Sequence, residues 1–166
     1  TRRSADLCRR GMEAQIGEVV VATDSEAVAT AVEKAGGRAI MTRGDHPSGS
    51  DRIFEALEAL DPEHRVEFVV NVQGDLPTVP PADIHAARDL LKDQAVDIAT
   101  LVAVIRDPHE LANPSVVKAH GLEVSPGRFR ATTFTRADAK GAGPHYHHIG
   151  LYAYRRAALE RFVKLP

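Results

Sequence analysis

The run Val72-Gln73-Gly74-Asp75 sets a carboxylate where a strongly apolar stretch stops abruptly. Phe68-Val69-Val70 reads as part of a strand buried on both faces of a sheet. Gln73-Gly74-Asp75 is a polar turn, followed by Pro77, Pro80 and Pro81 and then by a helical pattern. In open α/β sheets, ligands bind beyond the carboxyl ends of the strands. Asp75, next to a glycine that lets backbone approach a ligand, is a suitable ligand for a hard cation such as Mg²⁺. An Asp that merely turns the chain gives the same pattern.

A second polar stretch, residues 42–52, runs Thr-Arg-Gly-Asp-His-Pro-Ser-Gly-Ser-Asp-Arg into a helix with Ile53, Phe54, Leu57 and Leu60 on its inner side. Ser48 and Ser50 are candidate N-caps, and a helix start of this composition can bind an anion through free backbone N–H groups. It also suits an ordinary capped loop. His145, His147 and His148 cluster, but on a strand His148 faces away from the other two. No cysteine pair accompanies them, so a structural zinc site is not expected. His148 beside Gly150, with Tyr152 on the same strand face, reads instead as a substrate-contacting edge. No nucleophile elbow, Walker loop or dinucleotide glycine fingerprint occurs. The single cysteine, Cys8, lies in a helical pattern and gives thiol catalysis little support.

The elements that must position these residues alternate. Helical patterns over 3–15, 26–35, 50–60 and 81–93 are interleaved with strand patterns over 18–22, 38–41, 68–72 and 97–105. That alternation predicts a doubly wound, mostly parallel α/β sheet with right-handed crossovers. After Arg106 the character changes. Asp107-Pro108 and Asn113-Pro114 are breakers, and residues 116–120 and 128–135 read as strands joined around Gly121 and Pro126-Gly127, an appended hairpin. Residues 136–144, with Gly141 and Gly143, read as mobile. A strand over 147–154 and a helix from Arg156 close the chain.

With 166 residues, 43% of them hydrophobic, the chain can bury a core as one domain. A net charge of −2 excludes a generally basic nucleic-acid surface. No apolar run approaches the ~18 residues of a membrane span. One cysteine cannot form an internal disulfide, which fits a reducing compartment. The chain starts at Thr1 rather than Met and stops within a helical segment, so it reads as incomplete at both ends.

Six segments, in order and across nearly the whole chain, resemble the 3-deoxy-manno-octulosonate (Kdo) cytidylyltransferases, or CMP-Kdo synthetases. They are residues 21–24 (Val-Ala-Thr-Asp), 41–52 beginning Met-Thr-Arg-Gly-Asp-His, 71–77 (Asn-Val-Gln-Gly-Asp-Leu-Pro), Asn113-Pro114 with Val117-Lys118, 134–137 (Phe-Thr-Arg-Ala) and 147–154 beginning His-His-Ile-Gly. The resemblance implies a fold of the nucleotide-diphospho-sugar transferase type. It also implies a reaction in which the anomeric hydroxyl of Kdo attacks the α-phosphorus of CTP and pyrophosphate leaves, for lipopolysaccharide synthesis in a Gram-negative cytoplasm. It gives Asp75 the role of Mg²⁺ ligand and catalytic residue, and sets Gln73 beside it against the sugar. Met41, Thr42, Arg43 and Gly44 would lie against cytosine. Ser48, Gly49 and Arg52 would help form the sugar pocket, with Arg52 on the sugar carboxylate, and Arg136, His148 and Tyr152 would line the sugar side. Within one domain, residues 106–155 would form a β-rich sugar-binding and dimerisation region, giving a homodimer.

Leu76 stands where the family often has Glu, and Thr135 where Ser is common. The family's opening strand with its triphosphate loop, and its C-terminal second metal carboxylate, have no counterpart in these residues, so the chain alone is expected to be inactive. Two alternatives stay open: a cytidylyltransferase for another acidic sugar, such as sialic acid, and a non-catalytic nucleotide-binding or dimerisation module.

Overall fold

The computed structural model describes residues 2–137 and 144–165. Most of the stretch expected to be mobile, and the chain's two end residues, lie outside the described residues. The chain divides into two compact units, Thr1–Ala99 with Gly150–Pro166, and Thr100–Ile149. Strands β4 (Ile98–Val104) and β7 (Tyr146–Arg155) contribute to both.

The first unit holds α1 (Arg2–Ala14), β1 (Val20–Thr23), α2 (Glu26–Lys34), β2 (Arg38–Met41), α3 (Gly49–Leu60), β3 (Phe68–Val72), α4 (Pro81–Leu90) and α6 (Arg156–Phe162). The helices start where local chemistry says they should. Ser48 caps α3, accepting from the N–H groups of Ser50 and Asp51 at 3.2 and 3.4 Å. Pro81 occupies the first turn of α4, where its missing N–H is harmless. Gly36, with φ +80°, ends α2. On α4 the expected inner face is buried at Ile84, Ala87 and Leu91. On α2 only Val32 is fully buried; Ala27 and Ala35 are exposed. Leu57, Tyr154 and Leu159 form a core cluster joined by Ile53, Phe54, Val69, Tyr152 and Val163. Cys8 is buried on α1, and that burial raises its thiol pKa, which agrees with an unreactive side chain.

The sheet departs from the mostly parallel expectation. Strands β1 and β2 pair in parallel. Strand β3, however, pairs antiparallel with β7, and among the described residues β1 bonds only to β2. The reason is the late strand β7: it occupies the position beside β3 that simple strand-helix alternation would give to a parallel neighbour. Among the described residues each of the two apolar runs is bonded on one side, β1 to β2 and β3 to β7. Val20, Val21 and Ala22 of β1 and Val69, Val70 and Val72 of β3 are only half-buried, and Phe68 is exposed.

The second unit is built on β5 (Lys118–Ser125) and β6 (Arg128–Thr135), which pair antiparallel, and β5 also pairs with the start of β7. The turn is at Pro126-Gly127. Gly121 lies inside β5, at a register shift, rather than in the connection. A short helix, α5 (Pro108–Ala112), forms where the sequence showed only breakers. Asp107 caps it by accepting from the His109 N–H at 2.9 Å, and Pro108 fills its first turn. Lys118 is wholly buried and donates to the Asn113 carbonyl at this helix's end, at 2.7 Å.

Arg156, buried at the start of α6, donates to Asp61 Oδ2 at 2.7 Å and to Glu58 and Glu160. Asp61 also accepts from the N–H groups of Val66 and Arg65, and these bonds, with the nearby Arg156 charge, hold its carboxyl below the usual range. A depressed carboxyl pKa contributes stability above the unfolded value and loses it as pH falls through the folded value. Asp61→Asn is therefore expected to flatten the acid limb of a Tm-against-pH curve below about pH 4. Arg156→Met should lower Tm at pH 7 more than Arg9→Met, whose partner Asp6 is exposed. Equal effects of the two substitutions would show that the buried cluster contributes no more than a surface pair.

Candidate active site

In the first unit the carboxyl ends of β1, β2 and β3 carry the residues with chemical potential. Asp24 follows β1, Thr42 follows β2, and Gln73-Gly74-Asp75 follow β3. The Thr42 N–H donates to the Thr23 carbonyl at 2.9 Å, which ties the first two strand ends together.

Asp75 sits exposed in the turn, and Leu76 N–H closes that turn on the Gln73 carbonyl at 3.1 Å. A side chain added at Gly74 would meet only open space. An exposed strand-end carboxylate in open space fits one ligand of Mg²⁺, which keeps several of its waters and needs few protein oxygens. The one group of three candidate metal ligands among the described residues, Glu58, His64 and Glu160, lies elsewhere. Two of its carboxylates are already engaged by Arg156.

Gln73 lies across β7. Its N–H donates to the Gly150 carbonyl at 3.3 Å, and its Oε1 is 2.4 Å from where a Cβ on residue 150 would sit. Gly150 is thus the residue that lets the Gln73 side chain rest there. Pairing of Asn71 with Tyr152 across the ladder puts Gln73, Asn71 and Tyr152 on one sheet face. Tyr152 stacks on Tyr154, centroids 5.9 Å apart, and Tyr154 hydroxyl meets Ser50 Oγ at 3.2 Å. Burial raises the pKa of both phenols, so both are neutral donors at neutral pH. Asn71 is buried, and its Nδ2 has no hydrogen-bond partner.

The Thr42 to Gly44 segment is gripped from one side of α3. Arg52 donates to Thr42 Oγ1 at 2.9 Å and to Asp24 Oδ2 at 3.1 Å. Glu55, one turn on, accepts from the Arg43 N–H at 3.2 Å and from Arg43 Nε at 3.4 Å, and also meets the buried His46 ring. The hydrogen bond from Arg52 holds the Asp24 carboxyl below its usual range. Burial pushes Glu55 up, but its bonds with His46 and the Arg43 N–H outweigh that and hold it low. Both groups are anionic at neutral pH. Ser48 serves as the α3 cap, and the space above Gly49 is open. Met41 is half-exposed at the strand end.

In the second unit, His148 Nε2 meets Thr100 Oγ1 at 2.9 Å and its ring packs edge-on against Phe134, 5.0 Å between centroids. Burial, and then the charge of His147, lower its pKa below the ordinary 6.5, so the ring is neutral at neutral pH. Arg136 donates through Nη1 to the carbonyls of Pro114 and Ser115, at 3.0 and 3.4 Å. The residues expected on the sugar side thus fall in both units: Gln73 and Tyr152 in the first, Arg136 and His148 in the second.

Sequence reasoning missed Asp24, His46 and Glu55 as parts of the site. The usable signal was the spacing of Arg52 and Glu55, three apart on a helix and so on one side of it, directly after a polar loop that carries Arg43, Asp45 and His46.

Residues 8–166 match the sequence model of a family described as Cytidylyltransferase. The chain belongs to that family. It is 65% identical over 159 residues to the 3-deoxy-manno-octulosonate cytidylyltransferase of Methylobacterium radiotolerans, covering 95% of this chain and 64% of that protein. It is 60% identical over 161 residues to the protein of the same name from Nitrobacter winogradskyi, covering 96% and 63%. The chain therefore spans just under two thirds of the length of these relatives. Among solved structures it is similar to a CMP:2-keto-3-deoxy-manno-octonic acid synthetase complexed with CTP, with TM-score 0.84 and 34% identity over 99% of this chain and 67% of the other. A 4-diphosphocytidyl-2C-methyl-D-erythritol synthase from Anaerococcus prevotii shares the fold at TM-score 0.59 and 16% identity, covering 98% of this chain and 65% of that one. The family's fold is thus an α/β one that mixes these helices and sheets.

Gly150→Ala should leave the chain folded, since the atom it displaces is the tip of a flexible side chain, but it should move Gln73. The expected readout is a shift of the Gln73 side-chain amide resonances, assigned by their loss in Gln73→Ala. Unchanged resonances would mean that Gly150 does not set where Gln73 lies.

Proposed function

We propose that this chain serves the activation of Kdo with CTP, giving CMP-Kdo and pyrophosphate for lipopolysaccharide biosynthesis. The observation that carries the reading is identity of 60–65% over 95–96% of the chain to proteins named for that reaction. The geometry supports it, because a carboxylate and an amide follow β3 and a polar segment held by α3 follows β2, all at carboxyl ends of strands in one unit.

The displacement at phosphorus needs alignment and charge neutralisation more than covalent help. Asp75 would hold one Mg²⁺, which when bound supplies positive charge against the phosphate oxygens and orients the reacting groups. The protein's own residues divide the remaining work. Gln73, fixed across β7 at Gly150, offers an amide to the acidic sugar's hydroxyls. Tyr152 and neutral His148 offer hydrogen bonds without adding charge, and Arg136 offers a cation to the sugar carboxylate. Ser48 and Gly49 open the first turn of α3 to the same substrate. Residues 41–44 meet the cytosine.

The exposed Leu122 (66%) and Val124 (60%) on β5, with Phe134 on β6, support a homodimer formed through the second unit. No helix among the described residues is long and apolar enough to cross a membrane, and a cytoplasmic location follows from the proposed use of CTP.

Two assays test this. In the complete gene product, Asp75→Asn is expected to abolish pyrophosphate release from CTP and Kdo while leaving the far-UV CD spectrum and Tm nearly unchanged, because the substitution is close to isosteric but removes the charge that holds the metal. Near-normal turnover at saturating Mg²⁺ would reduce Asp75 to a turn residue. Residues 1–166 expressed alone are expected to release no pyrophosphate, because a triphosphate's charges call for more backbone N–H groups and cations than the described strand ends provide. Turnover by this piece equal to that of the complete gene product would overturn that expectation.

A further inference from the structure

Arg52 and Glu55 are both engaged by the segment 42–46, which they hold through the Thr42 hydroxyl, the Arg43 N–H and side chain, and the His46 ring. Arg52 takes the Thr42 hydroxyl and is itself fixed by Asp24, whose carboxylate also lies 3.4 Å from where a Cβ on Gly44 would sit. Glu55 takes the Arg43 N–H and side chain and the buried His46 ring. Residues 52 and 55 are one turn apart on a helix capped by Ser48 and anchored in the core at Leu57. A short polar segment with no regular secondary structure of its own is thereby given one backbone conformation.

We propose that Arg52 and Glu55 are positioning residues for the nucleotide, which shape residues 42–46 to read the cytosine, rather than ligands of the acidic sugar. This rests on the reading that residues 41–44 face the base. Two hydrogen-bond donors of Arg52 are already occupied, and its charge is balanced by Asp24. A sugar carboxylate there would share the guanidinium with the Asp24 carboxylate and meet its negative charge. The base, by contrast, meets a segment whose Arg43 N–H is already satisfied by Glu55, so its recognition falls to the groups the grip leaves facing outward. An unheld segment would sample many conformations, and nucleotide affinity would fall by the fraction of time spent in the competent one.

The test uses the complete gene product with CTP and Kdo. Glu55→Ala is expected to raise the KM for CTP about tenfold, the effect of losing one hydrogen bond to a charged group. The KM for Kdo and kcat should stay within about twofold, the signature of lost binding rather than lost transition-state contact. Glu55→Gln, which keeps an acceptor for the Arg43 N–H, should recover most of the CTP affinity. Thr42→Val, which leaves α3 untouched, should move the CTP KM in the same direction and keep the result readable if a helix variant fails to fold. Three results would overturn the proposal: a rise in the Kdo KM with CTP unaffected, a lowered Tm with both KM values unchanged, or Glu55→Gln as damaging as Glu55→Ala. If the parent protein makes no CMP-sugar from CTP, the proposed function itself falls. With the parent active, the variants bear only on the role of Arg52 and Glu55.

Discussion

Helix α3 is held at both ends, and the first unit's site depends on that. At its carboxyl end, Asp61 takes Arg156 and two backbone N–H groups of the segment leading into β3. Arg156 in turn donates its own N–H to the Glu67 carbonyl at 2.8 Å, just before β3 begins. Arg156, through its guanidinium and its backbone N–H, therefore ties together the end of α3, the start of β3 and the start of α6. An ion pair so buried is favourable only when its hydrogen-bonding groups are well met, and here three carboxylates and a backbone carbonyl take four of the five guanidinium N–H groups.

That anchorage gives the amino end of α3 a fixed direction. Leu57 packs on Tyr154 and Leu159 in the second half of the helix, and Ser50 reaches Tyr154 about two turns earlier. Arg52 and Glu55, between those points, face the 42–46 segment. The polar grip on the loop and the apolar seat on the sheet are two sides of one helix. Contacts at the Asp61 end and at the 42–46 segment are thus made by one helix. The link is physical contact through a rigid element, which is the form of coupling that can be tested by double substitution.

The two strand ends use glycine differently from the helix. Gly150 contributes an absence: without a side chain, it leaves the volume that Gln73 fills. Gly121 in β5 lies 2.7 Å, measured from a built Cβ, from the Arg130 carbonyl across the hairpin. Close approach of backbone or side chain, rather than turn formation, is what both positions require.

The sequence by itself determined the strands and every helix but the short α5, the capping Ser48, the inner face of α4 and the turn that ends in Asp75. Each of these follows from local spacing and from residues whose backbone preferences act within a few positions. The resemblance carried by residues 21–24, 41–52, 71–77 and 147–154 was legible for the same reason, since short motifs survive as strings. What only the tertiary structure decided was which strand lies beside β3, because β7 arrives from eighty residues away and pairing between distant segments leaves no local trace. It also decided that Arg52 and Glu55 grip the loop before them. The resemblance cast Arg52 as a partner of the sugar carboxylate, but whether a guanidinium meets a substrate or Asp24 depends on how the ends of β1 and β2 come together around it, and no single segment contains that information.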